Sequence, residues 1–291
     1  MKPADILIMM MCCLAWAMNF VVSAWAVGSN PVPPFMLAAT RAAIVLLLMG
    51  WVLFRPKPEK FGLLLIVCAC VGPIHLGFLY TGLQTASASG SSIVSQMLIP
   101  FATILSVVFL GEKVGWRRFL AILGAITGVV IMVYEPGALG FDIGLILIIL
   151  GYFSLAVGSV VMKRVGNIDW TQYVTWMALI VLLITAPISW IFESGQGEVW
   201  ATSKLPLLIA GGYAGIFVTI LAHGQYFNLV RKYDISVVVP LTLMTTVFAC
   251  VLGVLILKET LHMRYIIGAL LILPCVWYIA TRQTVMPLHE D

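Results

Sequence analysis

Ten apolar runs, each about twenty residues long and bounded by charges or Pro/Gly clusters, govern what this chain can fold into. They fall at 5–27, 34–54, 61–83, 88–110, 116–134, 142–162, 170–192, 205–227, 235–257 and 263–281. About twenty apolar residues is the length a helix needs to cross roughly 30 Å of hydrocarbon. Strands of a membrane barrel would alternate apolar and polar residues over about ten positions, and these runs do not alternate. The expected fold is an all-α integral membrane protein of ten transmembrane helices. Composition agrees: 10% of the residues are charged, against roughly a quarter in a soluble domain. The first run is too long for the apolar core of a signal peptide, and no small-residue cleavage pattern follows it, so it is expected to stay as helix 1.

Basic residues set the expected orientation. With the N-terminus inside, the cytoplasmic side collects twelve: Lys2, Arg55, Lys57, Lys60, Lys113, Arg117, Arg118, Lys163, Arg164, Arg231, Lys232 and Arg282. The outside collects three, Lys204, Lys258 and Arg264. That bias predicts both termini in the cytoplasm. The net charge of +4 is thus spread over loops rather than gathered on one face, so no nucleic-acid partner is expected. The six cysteines all fall inside expected helices and form no Cys-x-x-Cys spacing, so they read as packing residues and no metal or cofactor is expected.

Displacing the chain on itself by 147 residues brings Ser89 onto Ser236, Gly77 onto Gly224, Phe101 onto Phe248, Glu112 onto Glu259 and Arg117 onto Arg264. The register fails in the first two helices of each half, and Pro100 and Pro240 do not align. Five helices per half is an odd number, so the second half must run inverted relative to the first. Residues 1–137 and 138–291 are the expected repeats. Inverted repeats are typical of transporters that hold substrate near the bilayer midplane, between the halves.

These residues resemble the drug/metabolite transporter superfamily, in particular its ten-helix EamA-type members, which include bacterial exporters of amino acids. The resemblance rests on "WAMNFVV" in helix 1, "VPPFMLAATR" entering helix 2, and "ASGSSIVSQMLIP" with "GEK" through and after helix 4. In the second half it rests on "DISVVVPLTLMTTVF" and "KETLHMRYIIGALLI". It implies a transporter of amino acids or related metabolites, working by alternating access and not as an enzyme.

Polar groups in hydrocarbon are costly and face a cavity or a partner helix. Every one of the twelve carboxylates falls at a helix end or in a loop, so neither a central proton-coupling glutamate nor a sodium-binding aspartate is available. Two histidines remain, His75 in helix 3 and His223 in helix 8. Imidazole can donate, accept and change charge near neutral pH, which suits substrate binding or proton coupling; the plainer alternative is a hydrogen bond between helices. Arg41 lies seven residues beyond Pro34, about 10 Å into its helix. Its side chain either snorkels to the interface or reaches inward to a substrate carboxylate. Asn19 and Gln96 carry amides suited to a zwitterion, or else to helix–helix bonding. Trp16 and Tyr80 are the aromatics expected to wall the cavity, Trp16 because Asn19 lies one turn away. The small-residue run "SASGSS" before helix 4 is expected to be a thin, mobile outer gate.

The expected function is export of an amino acid or related small metabolite across the bilayer, facilitative or proton-linked, by a monomer. A nucleotide-sugar or sugar-phosphate carrier of the same superfamily would need a cluster of cations at depth, where only Arg41 is available. An intramembrane lipid-modifying enzyme would need a nucleophile or acid beside a histidine, and the sequence offers no such constellation.

Overall fold

The computed structural model describes residues 1–111, 114–136, 139–166 and 168–281. Among these residues, ten helices are long and apolar enough to cross a membrane. They are α1 (Pro3–Ser29), α2 (Pro34–Phe54), α3 (Phe61–Gly82), α4 (Ala88–Leu110), α5 (Trp116–Val133), α6 (Ile143–Val165), α7 (Trp170–Phe192), α8 (Gln196–Lys232), α9 (Val237–Leu257) and α10 (Met263–Thr281). A short antiparallel hairpin, β1 (Tyr134–Pro136) and β2 (Leu139–Phe141), joins α5 to α6. Glu112, Lys113 and Arg282, which the sequence register and charge bias use, lie outside the described residues.

Most helix bounds follow the apolar runs, because hydropathy and helix end together where Pro, Gly or charge intervenes. Helix α8 departs from this. Expected over 205–227, it starts at Gln196 and continues to Lys232. Hydropathy marks the hydrocarbon-spanning part only, whereas the backbone ladder carries on through polar residues at both ends. Pro34 opens α2 at its first helical position, where a missing N–H costs nothing. Gly111 and Lys258, paired by the 147-residue register, close α4 and α9 with left-handed residues at φ +69° and +58°.

The helices pack in a definite pattern. Helix α2 runs along α7 and α5 along α10, while α1 lies on α8 and α9, and α6 lies on α3 and α4. Glycines set the closest approaches. A Cβ on Gly128 would meet the Gly268 carbonyl at 3.0 Å, and one on Gly268 would meet the Gly128 carbonyl at 2.9 Å, so α5 and α10 cross there backbone on backbone. Gly211 and Gly215 likewise seat α8 against Thr40 and the Arg41 carbonyl of α2. Large apolar side chains such as Leu47, Phe54 and Trp190 cover the outside of the bundle at more than 80% exposure. A water-soluble protein of this size would not present so continuous an apolar surface, whereas lipid covers it readily.

Among the described residues, six helices depart from regular α geometry: α1 ends in a π turn (Trp25–Ser29), α2 in a 3-10 turn (Gly50–Phe54), α8 has a π turn near its start (Val199–Ser203), and four helices change at mid-span. Helices α4 and α9 break at Gln96–Met97 and Thr242–Leu243. Pro100 accounts for the first, since it has no N–H to give the Gln96 carbonyl. At the second, the Thr242 hydroxyl bonds the Val239 carbonyl (2.6 Å) and competes with the ladder. Helices α3 and α8 widen to π-helix over Cys70–Ile74 and Tyr213–Ala222. In each, the next residue is a histidine, His75 or His223. Such widened turns occur preferentially at functional sites.

Candidate functional site

The residues expected from sequence gather into linked clusters between the helices. Arg41 settles one open alternative: its side chain turns inward. It is 7% exposed, with Nε donating to Thr219 Oγ1 (3.0 Å) and Nη1 to the Tyr80 hydroxyl (3.0 Å). Thr219 donates its own proton to the Ala214 carbonyl (2.7 Å), a bond that the π-helical turn permits. A guanidinium carries five N–H donors, so these two bonds leave three. Asp5 is the only other charged side chain buried among the described residues, and it is bonded to Lys232 (2.6 Å) and Tyr233 (2.6 Å) near the N-terminus. Arg41 therefore faces no carboxylate of the described protein.

His75, also buried, sets its ring edge-on to Tyr152 of α6 (4.8 Å, 74°). Its Nδ1 lies beside Gly151 without a hydrogen-bond partner. His223 donates from Nδ1 to the Val218 carbonyl (2.7 Å), and its ring lies 5.6 Å from Trp16. Since a carbonyl can only accept, His223 Nδ1 carries the proton and Nε2 is the free acceptor in the neutral ring. Trp16 also meets Tyr226 edge to face at 5.3 Å.

Gln96 sits at the break in α4 and donates to Thr246 Oγ1 (2.8 Å), which in turn bonds the Ser92 carbonyl (3.1 Å). The broken middles of α4 and α9 are thus joined. Asn19 stands apart: its Oδ1 is buried and unpartnered, as is Trp16 Nε1. Buried polar atoms left without partners are uncommon, and each needs a reason. Three of the seven residues singled out from sequence carry one: Trp16, Asn19 and His75.

Several contributors escaped the sequence reading. Thr219, Thr246 and Tyr152 orient Arg41, Gln96 and His75, but hydroxyls and aromatics in apolar helices usually serve packing and carry no pattern. The "SASGSS" run, expected to be a thin outer gate, supplies the N-cap Ser87 and the first turns of α4, where Ala88–Ser92 are buried. Away from this cluster, a polar vestibule of about 600 Å³ opens between the 3–4 connection and the 9–10 connection, lined by Asp142, Lys258, Glu259, His262 and Arg264 among others.

The comparisons with known proteins agree with this architecture. The model of the EamA-like transporter family matches residues 4–134 and again 142–281. A probable amino-acid metabolite efflux pump of Escherichia coli (strain K12) is 26% identical, over 94% of this chain and 93% of that protein. An S-adenosylmethionine uptake transporter of Rickettsia prowazekii is 23% identical, over 72% of this chain and 69% of its own. A solved crystal structure shares the fold at a TM-score of 0.65, with 19% identity over 97% of each chain. With ten apolar helices among its described residues, the chain is a multi-pass inner-membrane transporter and not an enzyme. It belongs to the EamA-like transporter family, whose model matches it twice along its length.

Proposed function

We propose that this transporter exports amino acids or related carboxylate-bearing metabolites, and that Arg41 receives the carboxylate. The buried guanidinium carries the reading: it holds only hydroxyl partners, keeps three donors free, and meets no carboxylate among the described residues. A buried charge without a counter-charge is costly, and a planar carboxylate supplies one through two parallel bonds. Asn19 Oδ1 supplies a free acceptor for the ammonium of a zwitterion, and Trp16 Nε1 a further donor for its carboxylate. The E. coli relative's name, a probable amino-acid metabolite efflux pump, supports the same class. A sugar-phosphate or nucleotide-sugar cargo fits less well, because Arg41 is the only cation buried among the described residues.

The mechanism in this reading is alternating access between inverted halves, residues 1–137 and 138–291, with both termini cytoplasmic. The pairing of α1 with α8 and α9 against that of α6 with α3 and α4 supports it, as do the matching breaks in α4 and α9. Outer and inner below refer to this orientation. Transport is facilitative in this account, since among the described residues no buried carboxylate beside Arg41 offers a proton carrier. A single chain encloses the path. Purified protein in proteoliposomes, screened with labelled amino acids, should give saturable flux of one chemical class with or without a pH gradient. Flux that requires the gradient would transfer the coupling role to His75 and His223. No flux of any amino acid would overturn the substrate assignment.

A further inference from the structure

At the outer end of α4, the backbone bonds require an explanation that packing does not give. A helix begins with N–H groups that lack intrahelical partners. In α4 the third, Gly90 N–H, is taken by Ser87 Oγ (3.0 Å), and the fourth, Ser91 N–H, by the Ser87 carbonyl (3.0 Å). The first two go elsewhere: Ala88 N–H and Ser89 N–H donate to the Glu259 carboxylate at 2.6 and 3.0 Å. Ser89 Oγ adds a third bond at 2.5 Å. Glu259 lies 171 residues away from Ala88, on the connection between α9 and α10. One carboxylate of the second half thus completes the start of a helix in the first.

The connection is shaped for this contact. Lys258 is the only non-glycine residue at positive φ among the described residues (+58°), in the left-handed region that disfavours side chains. That turn folds the chain back so that Glu259 N–H reaches the Gly253 carbonyl (3.2 Å) and its carboxylate points at α4. Gly253 leaves the room: a Cβ there would lie 2.5 Å from Glu259 Oε2 and 2.6 Å from Ser89 Oγ. Gly90 performs the same service on the other face, where a Cβ would press on Tyr265 of α10. The polar vestibule is lined by Ser87, Lys258 and Glu259 and so reaches this contact.

Burial is uneven along the two broken helices. From Ala88 to Ser95, the outer half of α4, every residue is buried. From Val237 to Leu243, the inner half of α9, only Val238 is. The stretch of α4 that Glu259 holds is enclosed, and the corresponding first turns of α9 are less so.

We infer that Glu259 is a gating residue, a latch that holds the outer half of α4 shut and must release α4 for cargo to leave. The inference rests on the alternating-access reading above. Its charge-assisted bonds form only while α4 is seated, so their free energy counts entirely toward the outward-closed state. Lys258 and Gly253 position it.

The test is labelling of Ser95→Cys, which lies behind the latch, by a membrane-impermeant maleimide applied from outside to right-side-out vesicles. The chain without that substitution controls for the native cysteines. Glu259→Gln should raise the labelling rate about tenfold or more, the change that loss of one ordinary charge-assisted bond brings. Gly253→Ala, which displaces an intact carboxylate, should do the same and guards against a folding defect in the first variant. Lys258→Gly, which relaxes the turn, should leave labelling low. If neither variant changes labelling while a transported amino acid still does, the latch is overturned and alternating access stands. If labelling responds to neither variant nor cargo, alternating access fails and takes the latch with it.

Discussion

Helices α2 and α7 form one seam between the halves and α4 and α9 form another, and they are fastened differently. The α2–α7 seam is held at both ends. At one, Glu193 accepts Phe35 N–H (2.8 Å) and Met36 N–H (3.1 Å); at the other, Arg55 pairs with Asp169 (2.9 Å) and Gln172 reaches the Pro56 carbonyl (2.9 Å). The α4–α9 seam is held at one end by Glu259 and at the middle by Gln96 and Thr246. Among the described residues, no bond joins its other end. Both helices of the second seam are broken at the middle, and neither helix of the first is. Under the alternating-access proposal, the seam tied at both ends is the scaffold, and the one tied at a single end and broken at its centre is the one that opens.

The largest effect should come from fixing the second seam shut. A Cβ on Gly253 would lie 2.6 Å from Ser89 Oγ, so Ser89→Cys and Gly253→Cys place two thiols side by side across the seam. Oxidising that pair should reduce flux to background, with recovery on reduction. Tying Phe35→Cys to Glu193→Cys with a short bifunctional reagent should leave most of the flux, because the scaffold does not part. Equal inhibition by the two ties would erase the distinction between the seams.

A smaller effect is expected from spoiling the scaffold's packing. Gly215 seats α8 on α2, where a Cβ would lie 3.1 Å from the Arg41 carbonyl. Gly215→Leu should cost about 1–3 kcal/mol of stability, the usual penalty of overpacking. Thermal unfolding in detergent should show it as a lower midpoint. Because the Arg41 backbone is what it displaces, KM should rise as well; a stable variant with parental KM would contradict the packing assigned to this glycine.

The smallest effect is expected at the exposed end of the scaffold. Arg55 and Asp169 are 40% and 42% exposed, so Arg55→Ala should cost no more than ~1 kcal/mol. For Asp169, partial burial raises the carboxyl pKa, but bonds from Thr171 and the Arg55 charge outweigh it and hold it below the ordinary value. A lowered carboxylate pKa stabilises the fold above the ordinary carboxylate range, and that contribution fades as pH falls through the lowered value. Acid titration of Arg55→Ala against the parent should therefore show any difference shrinking as the pH falls below that range. A difference growing toward acid would reverse the sign and reject the assignment.

Most of the fold was legible because the bilayer leaves few choices. Length and hydropathy placed α2, α4, α7 and α10 at the observed bounds, since Pro34, the Gly111 turn and the flanking charges end each helix where its apolar run ends. The overlong α8 was not legible, because a helix leaving hydrocarbon keeps its ladder without any change in pattern. The candidate site was partly legible. His75, Asn19, Gln96 and Arg41 stood out because such groups are costly in hydrocarbon. Their supporting hydroxyls, Thr219 and Thr246, did not, since threonine is at home in apolar helices through bonds to its own backbone. The π-helical turns before His75 and His223 also carry no sequence mark; they depend on which carbonyl a packed side chain captures. Glu259 was visible as half of a repeat, but its hold on α4 required the fold.

The most direct test of the central claim is transport of a neutral amino acid compared with its carboxamide, by the parent and by Arg41→Gln, in proteoliposomes. If Arg41 receives the carboxylate, the parent should move the acid well and the amide poorly, and Arg41→Gln should lose the acid's advantage. Equal transport of acid and amide by the parent, or parental selectivity in Arg41→Gln, would contradict the account.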